Sequence, residues 1–353
     1  MSGVMRGPAI MLSQFVDDRA PFNALDAICG WAAGLGYVGV QLPVHDARLI
    51  DLERAARDDA YCGTIVATLE RHAITISELA AHRAGQLMAV HPACSDAADA
   101  FAPPALRGAP EARRTWARDR LLDAIAVASR LGVARVATFS GALAWPYFYP
   151  WPPPPIGLID VAFAELARRW KPILDAADAA GVDICFELHP GEDLHDGATF
   201  ERFLDAVGGH RRARILYDPS HMLLQHMDYL GFINRYHARI AAFHVKDAEF
   251  VRSDRAGVYG GYLDWRERPG RFRSPGDGQV DFKGIFSRLT HHGYDGWAVL
   301  EWECCIKSAE DGAREGARFI AEHMIRPAQQ AFDRSVRRHA DEAALRRMLG
   351  LAP

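Results

Sequence analysis

Short apolar runs alternate with longer amphipathic stretches along nearly the whole chain, and that rhythm sets the expected fold. Residues 8–15, 37–42, 74–79, 134–139, 182–187, 213–218, 240–245 and 296–301 are β-branched, apolar and bounded by turn formers, as buried strands are. Between them, 23–35, 49–72, 113–131, 158–180, 199–207, 229–237, 282–292 and 309–323 carry apolar residues at helical spacing. Gly36, Gly132 and Gly181 stand where three of these helices end. Eight strand-then-helix units without a repeated sequence predict a (β/α)8 TIM barrel over residues 1–325, with 326–353 as a C-terminal helical extension. Within that extension 331–349 is expected to be a helix packed outside the barrel. A doubly wound sheet is the alternative, but it does not bring four consecutive strand ends to one centre.

Two segments exceed what a connector needs. Trp145-Pro146-Tyr147-Phe148-Tyr149-Pro150-Trp151 is a stiff aromatic loop followed by further prolines, and the insertion 251–275 lies in a stretch, 251–280, rich in Gly, Arg and Asp. Both suggest a lid, or a substrate bulkier than a free triose or tetrose.

Four of the strands end in residues able to bind a hard cation: Glu187, Asp218, His244 and Glu301. In a barrel the carboxyl ends of all strands share one face, so these side chains surround a common point. Three carboxylates placed together without a cation would cost several kcal/mol in repulsion and desolvation. The set therefore predicts one divalent metal ion, Mn²⁺ first, with Mg²⁺, Co²⁺ or Zn²⁺ as alternatives. Taken singly, Asp218 before Pro219 reads equally well as a turn cap.

Composition narrows the partners. The 353 residues are 49% hydrophobic and 24% charged with a net charge of −4, so no basic field invites nucleic acid or an anionic membrane. No run approaches a membrane span, residues 1–7 show no apolar leader, and the six cysteines have no CxxC spacing. A cytoplasmic protein acting on a small carbohydrate is expected, as a homo-oligomer (dimer or tetramer).

Several motifs together resemble the sugar phosphate isomerase/epimerase family of xylose isomerase-like TIM barrels. They are Phe186-Glu187-Leu188-His189-Pro190-Gly191-Glu192, Tyr217-Asp218-Pro219-Ser220-His221, Phe243-His244-Val245-Lys246-Asp247 and Gly293-Tyr294-Asp295-Gly296, the last leading to Leu300-Glu301-Trp302-Glu303. Gly276-Asp277-Gly278-Gln279-Val280-Asp281-Phe282 is similar to the family's Gly-rich entry to its penultimate helix. The resemblance covers residues 8–325. It implies metal ligation by Glu187, Asp218, His244 and Glu301, proton transfer by Glu187 and Glu301, and substrate binding by His221 and Arg273, with Arg268 and Arg271 close by. His189, Lys246 and Trp145 are further candidates for substrate contact. Asp247 is expected to orient a ligand, and Glu303 either approaches the site or pairs with a basic side chain. His45, Asp46 and His82 also follow strands, as rim residues or substrate contacts. One departure stands out: many relatives have a Glu on strand two where this chain has Gln41.

The implied chemistry is a metal-assisted isomerase or epimerase. A metal chelated by a carbonyl and a neighbouring hydroxyl acidifies the intervening C–H, one carboxylate removes the proton and a second returns it. A lyase eliminating across a 3-oxo-glycoside shares the first step and is the alternative. An endonuclease IV-like nuclease fits less well, because it needs more metal ligands and a basic surface. A non-enzymatic binding module is the last rival.

Overall fold

A computed structural model describes residues 4–328, 330 and 332–352. Eight parallel strands close into a barrel: Arg6–Met11, Gly39–Pro43, Thr75–Ala80, Arg135–Thr138, Asp183–Glu187, Ala213–Tyr217, Ile240–Val245 and Trp297–Leu300. The first pairs with the last as well as with the second, so no edge is left open. Every expected strand is present.

Alternation along each strand divides the core in two. Outward residues such as Phe186 pack under the helices, edge-on to Trp170 and Phe203 with ring centroids 4.7 and 5.3 Å away. Inward residues are apolar: Cys185, Leu216 and Ala242 fill one part of the barrel, and Val299 lies in another beside Ala9, Met11 and Trp297. Two residues on, the same inward face carries Glu187, Asp218, His244 and Glu301. The pleat that fills the barrel therefore also aims these four side chains at its mouth.

Three expectations are corrected. The helix over 49–72 is two, Leu52–Ala55 and Asp59–Arg71, because Asp51 and Asp58 each cap a new start by accepting from the N–H groups of Arg54 and Tyr61. The stretch 251–280 is not only loop: Asp247–Phe250 and Gly270–Arg273 pair as an antiparallel ribbon over the barrel mouth. In the C-terminal extension the helix covers only Glu342–Met348, begun by Asp341 as its cap, and buries none of its residues. Its apolar side chains, such as Leu345 and Met348, meet no barrel surface to extend it against. Residue 331, where the longer helix was expected to begin, lies outside the described residues. Among the described residues no helix is long and apolar enough to cross a membrane.

Candidate metal centre and active site

Glu187 closes the fifth strand, Asp218 follows the sixth, His244 is the penultimate residue of the seventh, and Glu301 follows the eighth. One ligand atom from each lies within 4.8 Å of the other three, and all four residues are buried. Glu187 Oε2, Asp218 Oδ2, His244 Nδ1 and Glu301 Oε2 are buried without a hydrogen-bond partner. His244 Nδ1 comes within 2.7 Å of Glu301 Oε2, yet the two are not aligned as donor and acceptor. Four convergent lone-pair atoms, each left open, are what a cation would satisfy. The donor set of three carboxylate oxygens and one imidazole suits a hard divalent ion.

The other atom of each ligand is held. Ser220 donates from its N–H and its Oγ to Asp218 Oδ1, at 2.8 and 2.7 Å. Pro219 opens the helix that follows, where its missing N–H costs nothing. Gln14 Nε2 donates to Glu301 Oε1 at 3.1 Å. The Gln41 amide meets His244 Nε2, with its nitrogen 3.0 Å and its oxygen 3.3 Å away. If that oxygen accepts the Nε2 proton, the Nδ1 lone pair faces the centre. Glu78 Oε2 accepts from Gln41 Nε2 at 3.4 Å, and burial pushes the Glu78 carboxyl up.

Around the cluster, His82 Nε2 and His221 Nε2 each approach an oxygen of Glu187 to 3.1 Å. Lys246 Nζ lies 3.5 Å from Glu301, 3.8 Å from Asp218 and 2.9 Å from Glu303. Glu303 thus pairs with Lys246 at the rim. With all three carboxylates ionised and His244 neutral, as a cation would require, one buried ammonium leaves two negative charges, which a divalent ion would cancel.

The protonation of the metal-free cluster follows from this charge. Burial raises the Glu187 carboxyl, but the His221 and His82 imidazoles beside it overcome that and hold Glu187 well below the usual carboxylate range. Burial raises Asp218 to about 8 against the pull of Lys246, helped by Glu187 and Glu301. Burial opposes ionisation of Glu301 too, yet Lys246 and His244 bring it down to about 2. Burial, with His189 and Lys246 nearby, drops His221 to about 3, so its imidazole is neutral.

The remaining expected residues divide. His189 packs against His221 with ring centroids 4.1 Å apart and the planes tilted by 59°, and both line a cavity of about 560 Å³ that also takes in Trp145 and Glu303. Arg273 pairs with Glu249 at 2.7 Å, and Arg268 is the arginine that lines this cavity. Asp247 does not touch a ligand; it accepts from the N–H groups of Ala248, Gly276, Gly278 and Val280 and so fixes the Gly-rich turn. Asp46 pairs with Arg48, and His45 borders a separate cavity beside Trp116. Sequence reading passed over Gln14 and Glu78, whose roles depend on contacts with residues 287 and 37 positions away.

Similarity to known proteins bears on the fold and on the chemistry separately. The chain is 32% identical over 150 residues to a Bacillus velezensis protein named inosose dehydratase, a match covering 42% of this chain and 50% of that one. It spans about half the length of the curated relatives it matches. Among solved structures, a xylose isomerase domain protein from Planctomyces limnophilus superposes with a TM-score of 0.61 at 15% identity, covering 92% of this chain and 98% of that one. An L-ribulose 3-epimerase gives 0.57 at 17% identity, covering 91% and 95%. At such identities the structures speak for the fold alone. The family model of xylose isomerase-like TIM barrels matches residues 29–323, and the protein belongs to that family.

Proposed function

We propose that the site removes a proton from the carbon beside a ketone in an oxidised sugar or cyclitol ring and expels the β-oxygen substituent, as water from a cyclitol or as the aglycone alcohol from a 3-oxo-glycoside, a lyase reaction. The isomerase expected from the motifs shares the first step, but curated relatives named inosose dehydratase support elimination. The observation that carries the reading is Glu187: a buried, ionised carboxylate held by two histidines, inside a cluster of four open ligand atoms.

A divalent ion held by Glu187, Asp218, His244 and Glu301 would supply stabilisation for negative charge developing on the ketone oxygen. Glu187 or Glu301 takes the proton, and the C–H electron pair becomes the new C=C bond. The β C–O bond breaks with its electrons to oxygen, and the same carboxylate returns its proton there, giving water from a cyclitol or the aglycone alcohol from a 3-oxo-glycoside. Lys246 keeps an ammonium beside the departing charge, because the carboxylates around it outweigh its burial. His221, neutral and donating from Nε2 to Glu187, leaves Nδ1 to accept from a substrate hydroxyl.

Epimerisation is the second reading, favoured by the presence of two buried carboxylates, Glu187 and Glu301, in one cluster. Mass spectrometry after incubation of the Mn²⁺-loaded protein with a keto-cyclitol and with a 3-oxo-glycoside separates the two. Loss of water from the keto-cyclitol, or of the aglycone alcohol from the 3-oxo-glycoside, with appearance of enone absorbance is expected. A product that loses neither group and only exchanges one C–H for C–D in D₂O would overturn elimination in favour of epimerisation.

A further inference from the structure

The cavity above the cluster has a second half that removing one proton and one hydroxyl does not require. Its inner end is formed by His189, His221 and Glu303, which border the ligands. Its outer end is aromatic: Trp145, Phe148, Tyr259, Trp265 and Phe272, with Arg268. Trp145 and Phe148 stack at 4.8 Å with 6° between their planes, and Tyr259 from the insertion meets Phe148 at 6.2 Å. On the ribbon side Trp265 packs on Phe272 at 5.0 Å, and the Arg268 guanidinium lies 4.3 Å over the Trp265 ring. Phe272 in turn covers the working end, edge-on to His221 at 5.3 Å and 4.4 Å from Lys246 Nζ.

Two segments distant in sequence, the loop after strand four and the insertion after strand seven, are thus brought together as one aromatic wall. The wall is not spent on packing. Phe148, Tyr259 and Trp265 remain 49%, 65% and 44% exposed. Grouped exposed aromatics beside a cleft mark a binding surface. The loop is also anchored: Asp193 accepts from the N–H groups of Leu143, Ala144 and Trp145 at 2.7, 2.8 and 3.0 Å. A volume of about 560 Å³ falls in the range of sites for drug-sized ligands, larger than one polyol ring demands.

We infer that the substrate has two rings: an oxidised sugar ring at the metal cluster, joined through a glycosidic oxygen to a second ring that stacks in the aromatic half. This rests on the proposed abstraction of a proton beside a ketone and narrows its substrate to a glycoside. Aromatic faces recognise the C–H face of a sugar and the face of an aryl group alike, so the shared chemistry is a flat-faced ring.

The test compares the phenyl, glucosyl and methyl glycosides of one 3-oxo-hexose with a free keto-cyclitol, reading C–H exchange in D₂O and turnover with Mn²⁺ present. The phenyl or glucosyl compound is expected to show the highest kcat/KM, and whichever leads identifies the second ring as aryl or sugar. Trp265→Ala and Tyr259→Ala should each raise KM for that compound by about tenfold, in the range of one lost aromatic contact, and move KM for the methyl glycoside far less. Tyr259 is exposed enough that its truncation leaves folding intact should Trp265→Ala not fold. Equal kcat/KM for all glycosides, or exchange of the keto-cyclitol alone, overturns the two-ring substrate and leaves the proton-abstraction reading standing. No exchange of any ketone defeats that reading, and the subsite falls with it.

Discussion

Replacing Glu187 by Gln separates the chemistry of the cluster from its stability. Both carboxylate oxygens lie 3.1 Å from a histidine Nε2, and the side chain is 1% exposed. Glutamine keeps the shape but offers one oxygen and one NH₂, so one imidazole meets a donor where it had an acceptor. Losing a hydrogen bond to a charged group costs about 1.5–3 kcal/mol. Against this, one negative charge leaves a set whose atoms lie within 4.8 Å, and at an effective dielectric near 20 that relieves at least about 3 kcal/mol of repulsion from one ionised neighbour. The surroundings as a whole nevertheless favour the charged Glu187, whose carboxyl is held well below its usual range, so the metal-free variant should melt below the wild type. With Mn²⁺ present the loss is larger, because one of three candidate carboxylate ligands is gone and the metal-induced rise in melting temperature shrinks. Turnover should fall by about 10²–10⁴, the usual loss on removing a general base, and Glu301→Gln should behave similarly. Thermal melts with and without Mn²⁺, together with proton NMR of substrate in D₂O, read all three effects. Exchange at the wild-type rate in both variants would place the base elsewhere, with His189 or His221 next.

Asp218→Ala should bind less than a tenth of the Mn²⁺ bound by the wild type in equilibrium dialysis; full occupancy would sink the ligand assignment. Burial raises Glu192 from 4.5 to about 8, so between those values the unfolded chain is ionised while the folded one keeps its proton. The folded state then binds more protons, and stability falls as pH rises through that window by a few kcal/mol. Urea melts of Glu192→Gln across pH 5–8 should show a flatter profile, and an unchanged slope refutes the assignment. Asp193→Ala strands three N–H groups at the base of the aromatic loop, so KM for a glycoside should rise several-fold with kcat largely kept. A Cβ on Gly85 would lie 1.9 Å from Thr138 Oγ1 and 2.3 Å from the Phe139 carbonyl, so Gly85→Ala should lose about 2 kcal/mol or more in urea melts.

The barrel was legible because each strand is a short apolar run between turn formers, and the closed order follows from eight such units in succession. Glu187, Asp218, His244 and Glu301 were legible because each ends a run and sits two residues beyond an apolar inward-facing residue. Glu78 was not: in Thr75–Ala80 it reads as the polar face of a half-exposed strand, whereas the barrel interior makes that face buried. Gln14 escaped because its partner Glu301 lies at the far end of the chain, joined only by barrel closure. The ribbon was hidden by its own composition, since Gly270 and the arginines of Gly270–Arg273 give no strand signal until Asp247–Phe250 pairs with them. The C-terminal segment shows the reverse error, a helical pattern with nothing to bury against.

The central claim is that one buried cluster both holds a divalent ion and removes a proton beside a ketone. The most direct measurement is solvent exchange of the C–H next to the carbonyl, followed by NMR in D₂O, for one protein preparation before and after removal of metal by chelation and again after Mn²⁺ is restored. Exchange should proceed in the loaded protein, vanish on chelation and return at about one ion per chain. Exchange that persists undiminished in protein shown to be free of metal would contradict the account.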